Sequence, residues 1–471
     1  MHNSSTQFEK GLFIFRRDFR TVDNIGLNLC KTRCKRILPI FIFTPEQVTS
    51  KNDFKSSNAI QFMIGCLRDL RSQTGGSLRA YYGDNVRVIA QILKTCAIDY
   101  VCFNADYSPY AISRDKQIVA LCNKVGVKVE IAYDYYLHPP NTVTNEQGEI
   151  YQKFTPYYNK AVKQPVDPPS SVAVTQFVKD RCNDKTYIIS LDAAANKFIG
   201  NPNPNPNLLV KEGRNQALIT LTKAATTQKK YNDTHNDLEK ETTLLSAYIK
   251  FGCISIREVY QTFKRRFGLH SGLIRQLYWR DFYANILRAY PQVLGHALKP
   301  GYNKIKWHSA PNHFDKWTRG QTGFPAVDAG MRQLNATGYM HNRARLIVAT
   351  FLIKTLLIDW RKGEKYFAQK LVDYDPASNN GNWQWCAGSG ADSQPYFRIF
   401  NPWDQGAHYD PEAKYIYKWI PELATVPAKA VHKWHSACKL PEYSHIDYPC
   451  PIVDYSSQKE EALKMYKQIF N

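Results

Sequence analysis

Residues 11–24 read GLFIFRRDFRTVDN, a short apolar run that gives way at once to a charged stretch. Four runs of the same kind follow: RILPIFIF at 36–43, LRAYYG at 78–83, YVCFN at 100–104 and VKVEIAY at 127–133. Between them, AIQFMIGCLRDLRS at 59–72 and VRVIAQILKT at 86–95 repeat apolar residues at intervals of three and four, the period of a helix with one buried face. Strand-like runs alternating with helix-like ones predict a parallel, doubly wound α/β domain over residues 9–135, with ligands at the carboxyl ends of its strands. A dinucleotide fingerprint, G-x-G-x-x-G, does not follow the first run, so a conventional dinucleotide site is disfavoured there.

The pattern changes twice beyond residue 135. Residues 136–230 carry PVDPPSS, the repetitive NPNPNPN at 201–207 and the polar TKAATTQKK, and they read as an interdomain linker. Alternating Asn-Pro removes donors and restricts each residue before a proline, which predicts an exposed loop without chemistry of its own. From 231 to 471 the sequence is helical in period, in LLSAYIKFG, REVYQTFKRRFG, LIRQLYWRDFYANILRAY, RARLIVATFLIKTLLIDW and GEKYFAQKLV, with Gly, Pro and Asn marking the breaks. An all-α second domain is expected.

Charge narrows the partner. Lys and Arg total 62 against 41 Asp and Glu, a formal charge of +21, which suits steering toward a polyanion such as a nucleic-acid backbone. The 11 cysteines lack paired metal-ligand spacing; Cys30 and Cys34 would be neighbours on one helix turn, but no second pair accompanies them. Reduced thiols and no metal are expected. The opening MHNSSTQFEK has no apolar signal segment and no run reaches bilayer length, so the expected setting is inside the cell, with DNA, off the membrane. All nine tryptophans, Trp279, Trp307, Trp317, Trp360, Trp383, Trp385, Trp403, Trp419 and Trp434, fall in the helical zone. Indoles serve as core anchors in any helical domain, yet this confinement also fits stacking platforms for bases or a redox relay.

Longer motifs carry a resemblance. TGFPAVDAGMRQLNATGYMHNRARLIVATFLIKTLLIDWRKGEKYF at 322–367, DYDPASNNGNWQWCAG at 373–388 and PYFRIFNPWDQGAHYDPEAKYIYKWIPEL at 395–423 resemble the flavin domain of the photolyase/cryptochrome family, class I photolyases in particular. FRRDFRTVDNIGL at 15–27, TTLLSAYIKFGCIS at 242–255 and QLYWRDFY at 276–283 fit the same family in the same order. The resemblance implies FAD as cofactor, damaged DNA as substrate and a monomeric enzyme that splits cyclobutane pyrimidine dimers by electron transfer from reduced FAD.

It also implies roles for particular residues. Thr242, Thr243, Leu244, Leu245 and Ser246 match the FAD phosphate loop, where hydroxyls and N–H groups can cradle a pyrophosphate. Tyr231 matches a tyrosine that packs on the cofactor, and Asp373, Tyr374 and Asp375, with Arg345 beside Asp373, match positions that hold FAD. As a bare pair the two aspartates could be a general acid and base; acceptors for flavin and ribose are the favoured reading. Asn379 matches the position facing flavin N5, where a neutral amide supports a reduced anionic flavin. Trp383, Trp360 and Trp307 match the tryptophan chain that carries an electron to photoexcited flavin.

For DNA, Gln276, Trp279, Arg280 and Tyr283 stand at i, i+3, i+4 and i+7 and would share one helix face. Trp279 and Trp385 match the walls around a flipped dimer, and Asn342, Arg343 and Gln405 match further DNA contacts. Photolyases are among the base-flipping enzymes, and stacking on aromatic walls offsets the cost of extrusion. Gln276 departs from the glutamate usual in dimer-splitting enzymes and is more usual in (6-4) photolyases and animal cryptochromes. Against (6-4) chemistry, Asn342 and Leu346 replace the two histidines it needs, and His341 is one position early and should point elsewhere. For a light-harvesting second chromophore, FNADYSPYAISRD at 103–115 has Ser108 where folate-binding members place glutamate, whereas KFTPYYNKA at 153–161 resembles the antenna-domain wall; a folate, a deazaflavin or an empty pocket stay open. A cryptochrome-type light sensor is the rival reading, with Asn379 and the short stretch after KWIPEL favouring an enzyme.

Overall fold

The computed structural model describes residues 8–179, 185–199 and 204–469. Each of the five apolar runs becomes a strand: β1 Phe8–Phe15, β2 Cys34–Phe43, β3 Arg79–Tyr82, β4 Tyr100–Asn104 and β5 Lys128–Ala132. All pair in parallel in the order β3-β2-β1-β4-β5, so the winding reverses beside β1. Helices α1 Ile25–Arg33, α2 Ser57–Gln73, α3 Asn85–Thr95 and α4 Pro109–Lys124 fill the crossovers. Their starts are fixed by side-chain caps, Asn24 on Leu27 N–H, Ser56 on Ala59 N–H, Asp84 on Arg87 N–H and Ser108 on Ala111 N–H. The doubly wound α/β domain expected from the runs is therefore present. Cys34 starts β2 instead of extending α1, so Cys30 and Cys34 are not helix neighbours; their sulfurs both abut the Gly11 backbone of β1.

Among its described residues, the 136–230 stretch contains three α-helices, α5 Phe154–Ala161, α6 Leu191–Phe198 and α7 Arg214–Thr227. Residues 201–203 of NPNPNPN lie outside the described residues. Among the rest of that run, Pro204, Pro206 and Asn207 are exposed, but Asn205 ties the domains together, donating to the Ala336 carbonyl at 3.1 Å and to Asn58 Oδ1 at 3.2 Å. The helical region holds α8 Ser246–Phe251, α9 Ile256–Phe267, α10 Gly272–Ala289, α11 Pro325–Thr337, α12 Asn342–Lys354, α13 Trp360–Lys370, α14 Pro376–Ala387, α15 Pro402–Tyr409 and α16 Tyr455–Lys467, with further helices between. One apolar core runs from a face of the sheet into α8, α9 and α10, and a second fills the space among α11–α14 and α16.

The FRRDFR stretch after β1 is the joint between the two regions. Phe19 N–H donates to the Phe251 carbonyl at 3.1 Å, and Arg20 reaches the Gly252 carbonyl at 3.2 Å and Asp134 at 2.6 Å. Arg257, on α9, closes the buried cluster with Asp134 at 2.8 Å and Asp23 at 3.1 Å. Gly252 ends α8 at φ 65°, and a Cβ there would lie 2.2 Å from the Arg17 carbonyl oxygen, so the joint admits no side chain. One expectation about cysteine fails. Cys438 and Cys450 form a disulfide, because the chain folds back after α15 far enough for the Trp434 indole N–H to reach the Pro449 carbonyl at 2.9 Å.

Candidate functional site

Helix α14 organises a cleft in the helical region. Asp375 caps it by accepting from Ser378 N–H at 3.0 Å, and Pro376 follows at the first helical position. That start turns Asn379 and Trp383, one turn apart, into the cleft, which Asn342, Arg345, Asp373, Tyr374 and Asp375 also line. Seven sequence-predicted residues thus meet in one place. Asn379 is buried, and its amide nitrogen donates to the Glu364 carbonyl at 3.0 Å. Glu364 itself was not foreseen as part of the site. Burial pushes its carboxyl up to about 7, and Asn380 donates to it at 2.9 Å. Its one sequence signal is position: Trp360, Gly363, Glu364 and Phe367 share the buried face of α13.

The two aspartates have different partners. Asp373 accepts from Arg345 at 2.9 Å and from the Ser246 hydroxyl at 2.7 Å, which joins the TTLLS segment to the cleft at the start of α8. Within that segment Leu244 has a left-handed φ of 53°, Leu245 is buried and Thr242 and Thr243 are half-buried. Asp375 accepts from Arg17 at 2.8 Å and from the Tyr107 hydroxyl at 3.1 Å, both on the α/β side. Burial opposes its charge, but Arg17, with Arg280 and Lys250, more than offsets this and holds the carboxyl below the usual range. Tyr231 is not brought into this cleft. Its ring stacks on His235 at 5.0 Å and borders a separate surface hollow beside Lys229, Arg266 and His270.

The three tryptophans run from buried to half-exposed. Trp383 lies over Gly363, whose Cβ would fall 2.1 Å from the indole; Trp360 is one turn earlier on the same helix, α13. Both are 2% exposed. Trp307 is half-exposed, and the next residue, His308, donates its N–H to the Leu357 carbonyl at 2.9 Å, three residues before Trp360. Trp317, not singled out from sequence, also contacts Trp383, at 6.3 Å between ring centres.

Helix α10 corrects the expected DNA face. Gln276 is exposed and Trp279 half-buried, stacked on Phe154 of α5 at 3.7 Å and 6°. Arg280 turns into the domain joint, donating to the Tyr135 carbonyl at 2.6 Å above the Tyr136 ring, and Tyr283 is buried against Gly381 of α14. The helix dives from the surface into the interior, so spacing alone does not keep all four residues in solvent. In KFTPYYNKA, the segment that resembles the antenna-domain wall, Phe154, Tyr157 and Tyr158 pack on α10. Asn342 is exposed at the start of α12, while His341 caps that helix by accepting from Arg343 N–H at 3.1 Å. Burial, with Arg345 and Arg343 nearby, pushes His341 down to about 4, so it is neutral at working pH. Arg343 donates to Asn236 at 2.7 Å and covers the Tyr409 ring. Trp385 is half-buried, and Gln405, on α15, has a buried side-chain oxygen with no partner among the described residues. Phe397, 64% exposed, was not anticipated.

Two further clefts flank α4 in the α/β region. One holds Arg16, Thr44, Ser108 and Tyr110, the other Lys116, Tyr133, Tyr136 and Arg288. Ser108 caps α4 through Ala111 N–H at 3.3 Å, a structural use for the residue that replaces the expected glutamate. Among the described residues, no group of three His, Cys, Asp or Glu could hold a metal ion, and no helix is long and apolar enough to cross a membrane.

Residues 12–173 match the DNA photolyase family, and residues 273–468 match the FAD-binding domain of DNA photolyase. The chain belongs to the DNA photolyase family. Its helical region is that family's FAD-binding domain. It is 34% identical to the deoxyribodipyrimidine photo-lyase of Halobacterium salinarum, over 97% of this chain and 98% of that one. It is 33% identical to the Escherichia coli deoxyribodipyrimidine photo-lyase, over 96% and 97%. A class III photolyase structure from Agrobacterium tumefaciens superposes with a TM-score of 0.90 at 31% identity, covering 99% of both chains. An archaeal photolyase structure from Sulfolobus tokodaii with two FAD molecules gives a TM-score of 0.85 at 36% identity, covering 98% of this chain and 100% of that one.

Proposed function

We propose that this protein is a deoxyribodipyrimidine photo-lyase that splits cyclobutane pyrimidine dimers in damaged DNA. The bound FAD would supply the chemistry, an electron lent in light from its reduced form and returned after ring opening. The cleft residues fit that group. Asp373 and Ser246 offer an acceptor and a hydroxyl, and Arg345 offsets charge. The observation that carries the reading is Asn379. Because its amide nitrogen is committed to the Glu364 carbonyl, its oxygen is left to accept, which suits the N–H that a reduced flavin bears at N5.

Trp383, Trp360 and Trp307 would offer a path by which an external one-electron reductant at Trp307 supplies the bound cofactor. Trp279, Trp385 and the exposed Gln276 and Asn342 receive the extruded lesion, while the net positive charge of the chain favours association with DNA. A (6-4) activity is disfavoured because Asn342 and Leu346 are not proton donors, and His341 is neutral and used as a helix cap. One of the clefts flanking α4 takes a light-harvesting chromophore, a folate or a deazaflavin, and the enzyme works as a monomer. The test is illumination of chemically reduced protein with two oligonucleotides, one carrying a cyclobutane dimer and one a (6-4) lesion. Loss of the dimer alone is expected, and repair of neither lesion would sink the reading.

A further inference from the structure

Arg17 lies two residues past β1, at the carboxyl end of the sheet and beside the point where the winding reverses. It borders a cleft in the α/β region, whereas its partner Asp375 borders the flavin cleft. Their 2.8 Å ion pair is largely sheltered, with 15% and 9% of the two side chains exposed. The rest of the guanidinium is also spoken for: Nε donates to the Lys250 carbonyl at 3.3 Å and Nη1 to Asp106 at 3.4 Å. One side chain therefore bridges the loop after β4, helix α8 and the cap of α14. Neither neighbouring cation replaces it. Lys250 is pushed down to about 8 by burial and by Arg17 itself, and Arg280 is turned to the Tyr135 carbonyl.

We propose that Arg17 is a positioning residue for the flavin chemistry: through Asp375 it holds the first turn of α14, and thereby sets where Asn379 stands and what charge the cleft presents to the cofactor. The proposal rests on the flavin reading of the cleft given above. With Arg17 present, the pair is neutral overall. Without it, Asp375 keeps the Ser378 N–H, the hydroxyl of Tyr107, the nearby Tyr136 and the cations Lys250 and Arg280, while Asp106 loses the same partner, and burial raises the proton affinity of Asp375 toward working pH. Above the new titration the Asp375 carboxylate is charged without its ion-pair partner and disfavours an anionic reduced flavin. Below it that charge is removed.

The experiment compares wild type, Arg17→Met, Arg17→Lys and Arg17→Met/Asp375→Asn. Two quantities are read: the flavin midpoint potential of the holoprotein across roughly pH 6 to 9, and amide hydrogen exchange over residues 376–387 in flavin-free protein. Arg17→Met is expected to gain a pH-dependent step, with a more negative potential on its alkaline side. Its FAD affinity is expected to fall about tenfold, and Ser378 and Asn379 amides should exchange about tenfold faster than in wild type without flavin. Arg17→Lys should recover most of the potential, since it keeps the charge but not the fork, and the double variant should lose the pH step. Unchanged potential in flavin-loaded Arg17→Met overturns the proposal, whether or not exchange is faster. If Arg17→Met does not fold, Arg17→Gln, which also removes the charge, reads the same step against Arg17→Gln/Asp375→Asn. A wild type that binds no FAD contradicts the flavin reading, and exchange in the flavin-free variants then decides whether Arg17 holds α14.

Discussion

Helices α10 and α14 meet where the Tyr283 ring lies on Gly381, yet they carry function in opposite ways. On α14, Asn379 and Trp383 both turn into the cleft, and the residue that starts the helix is itself a cleft residue. On α10, a face of the same spacing is divided: Gln276 is exposed at the rim, Arg280 is drawn into the domain joint and Tyr283 is core. What separates them is what lies alongside. α14 borders a cleft, whereas α10 is covered along most of its length by residues 133–158, with the Leu137 N–H held by the buried Asp281 at 2.9 Å. A shared helix face becomes a functional face only where no other segment claims it.

The largest effect should come from Trp383. Trp383→Ala empties a buried indole site and should cost about 3 to 5 kcal/mol in denaturant unfolding. Trp383→Phe should keep the fold while slowing photoreduction of oxidised flavin at least tenfold, read as the bleaching rate under blue light. Next is the seam itself. Gly381→Ala would place a Cβ 2.1 Å from the Tyr283 ring and should destabilise by roughly 1 to 3 kcal/mol, moving α10 and α14 together.

A sharper division is expected within α10. Arg280→Ala should lower stability by about 1 to 3 kcal/mol, since it leaves the Tyr135 carbonyl without its donor, and should leave lesion affinity of the folded protein within about threefold. Gln276→Ala should do the reverse, changing stability by less than about 0.5 kcal/mol while weakening lesion binding in a filter or fluorescence titration. Equal effects on binding would mean that Arg280 does reach DNA.

A further effect is one of pH. Burial pushes Asp281 and Glu364 up, each to about 7. Unfolded carboxyls titrate near 4, so between about pH 4 and 7 the folded protein holds more protons than the unfolded chain. The stability these groups contribute is full below the unfolded value and is lost as pH rises through 7. The thermal midpoint should therefore fall between pH 5 and pH 8, and Asp281→Asn with Glu364→Gln should flatten the fall.

How far the sequence could be read follows the same division. The sheet was legible because each strand contains a short run rich in apolar residues, set between helix-period stretches, and the cleft because DYDPASNNGNW packs cap, amide and indole into eleven consecutive residues. Glu364, Trp317 and Arg17 were not legible, since each acquires its place from another segment: the amides of Asn379 and Asn380, the ring of Trp383, and the cap of α14. The same holds for Phe154, whose motif suggested an antenna wall and whose ring lies on Trp279. The disulfide of Cys438 and Cys450 depends on a chain reversal that cysteine spacing does not encode. Tyr231, matched by motif to a tyrosine that packs on the cofactor, stacks on His235 beside a separate surface hollow.

The most direct test is the light dependence of repair by fully reduced holoprotein bound to an oligonucleotide with one thymine dimer, wild type beside Asn379→Asp. Wild type should restore the dimer to thymines only when illuminated, and Asn379→Asp should lose most of that yield while still binding the lesion. Repair in darkness, no repair in light, or an Asn379→Asp variant as efficient as wild type would contradict the account.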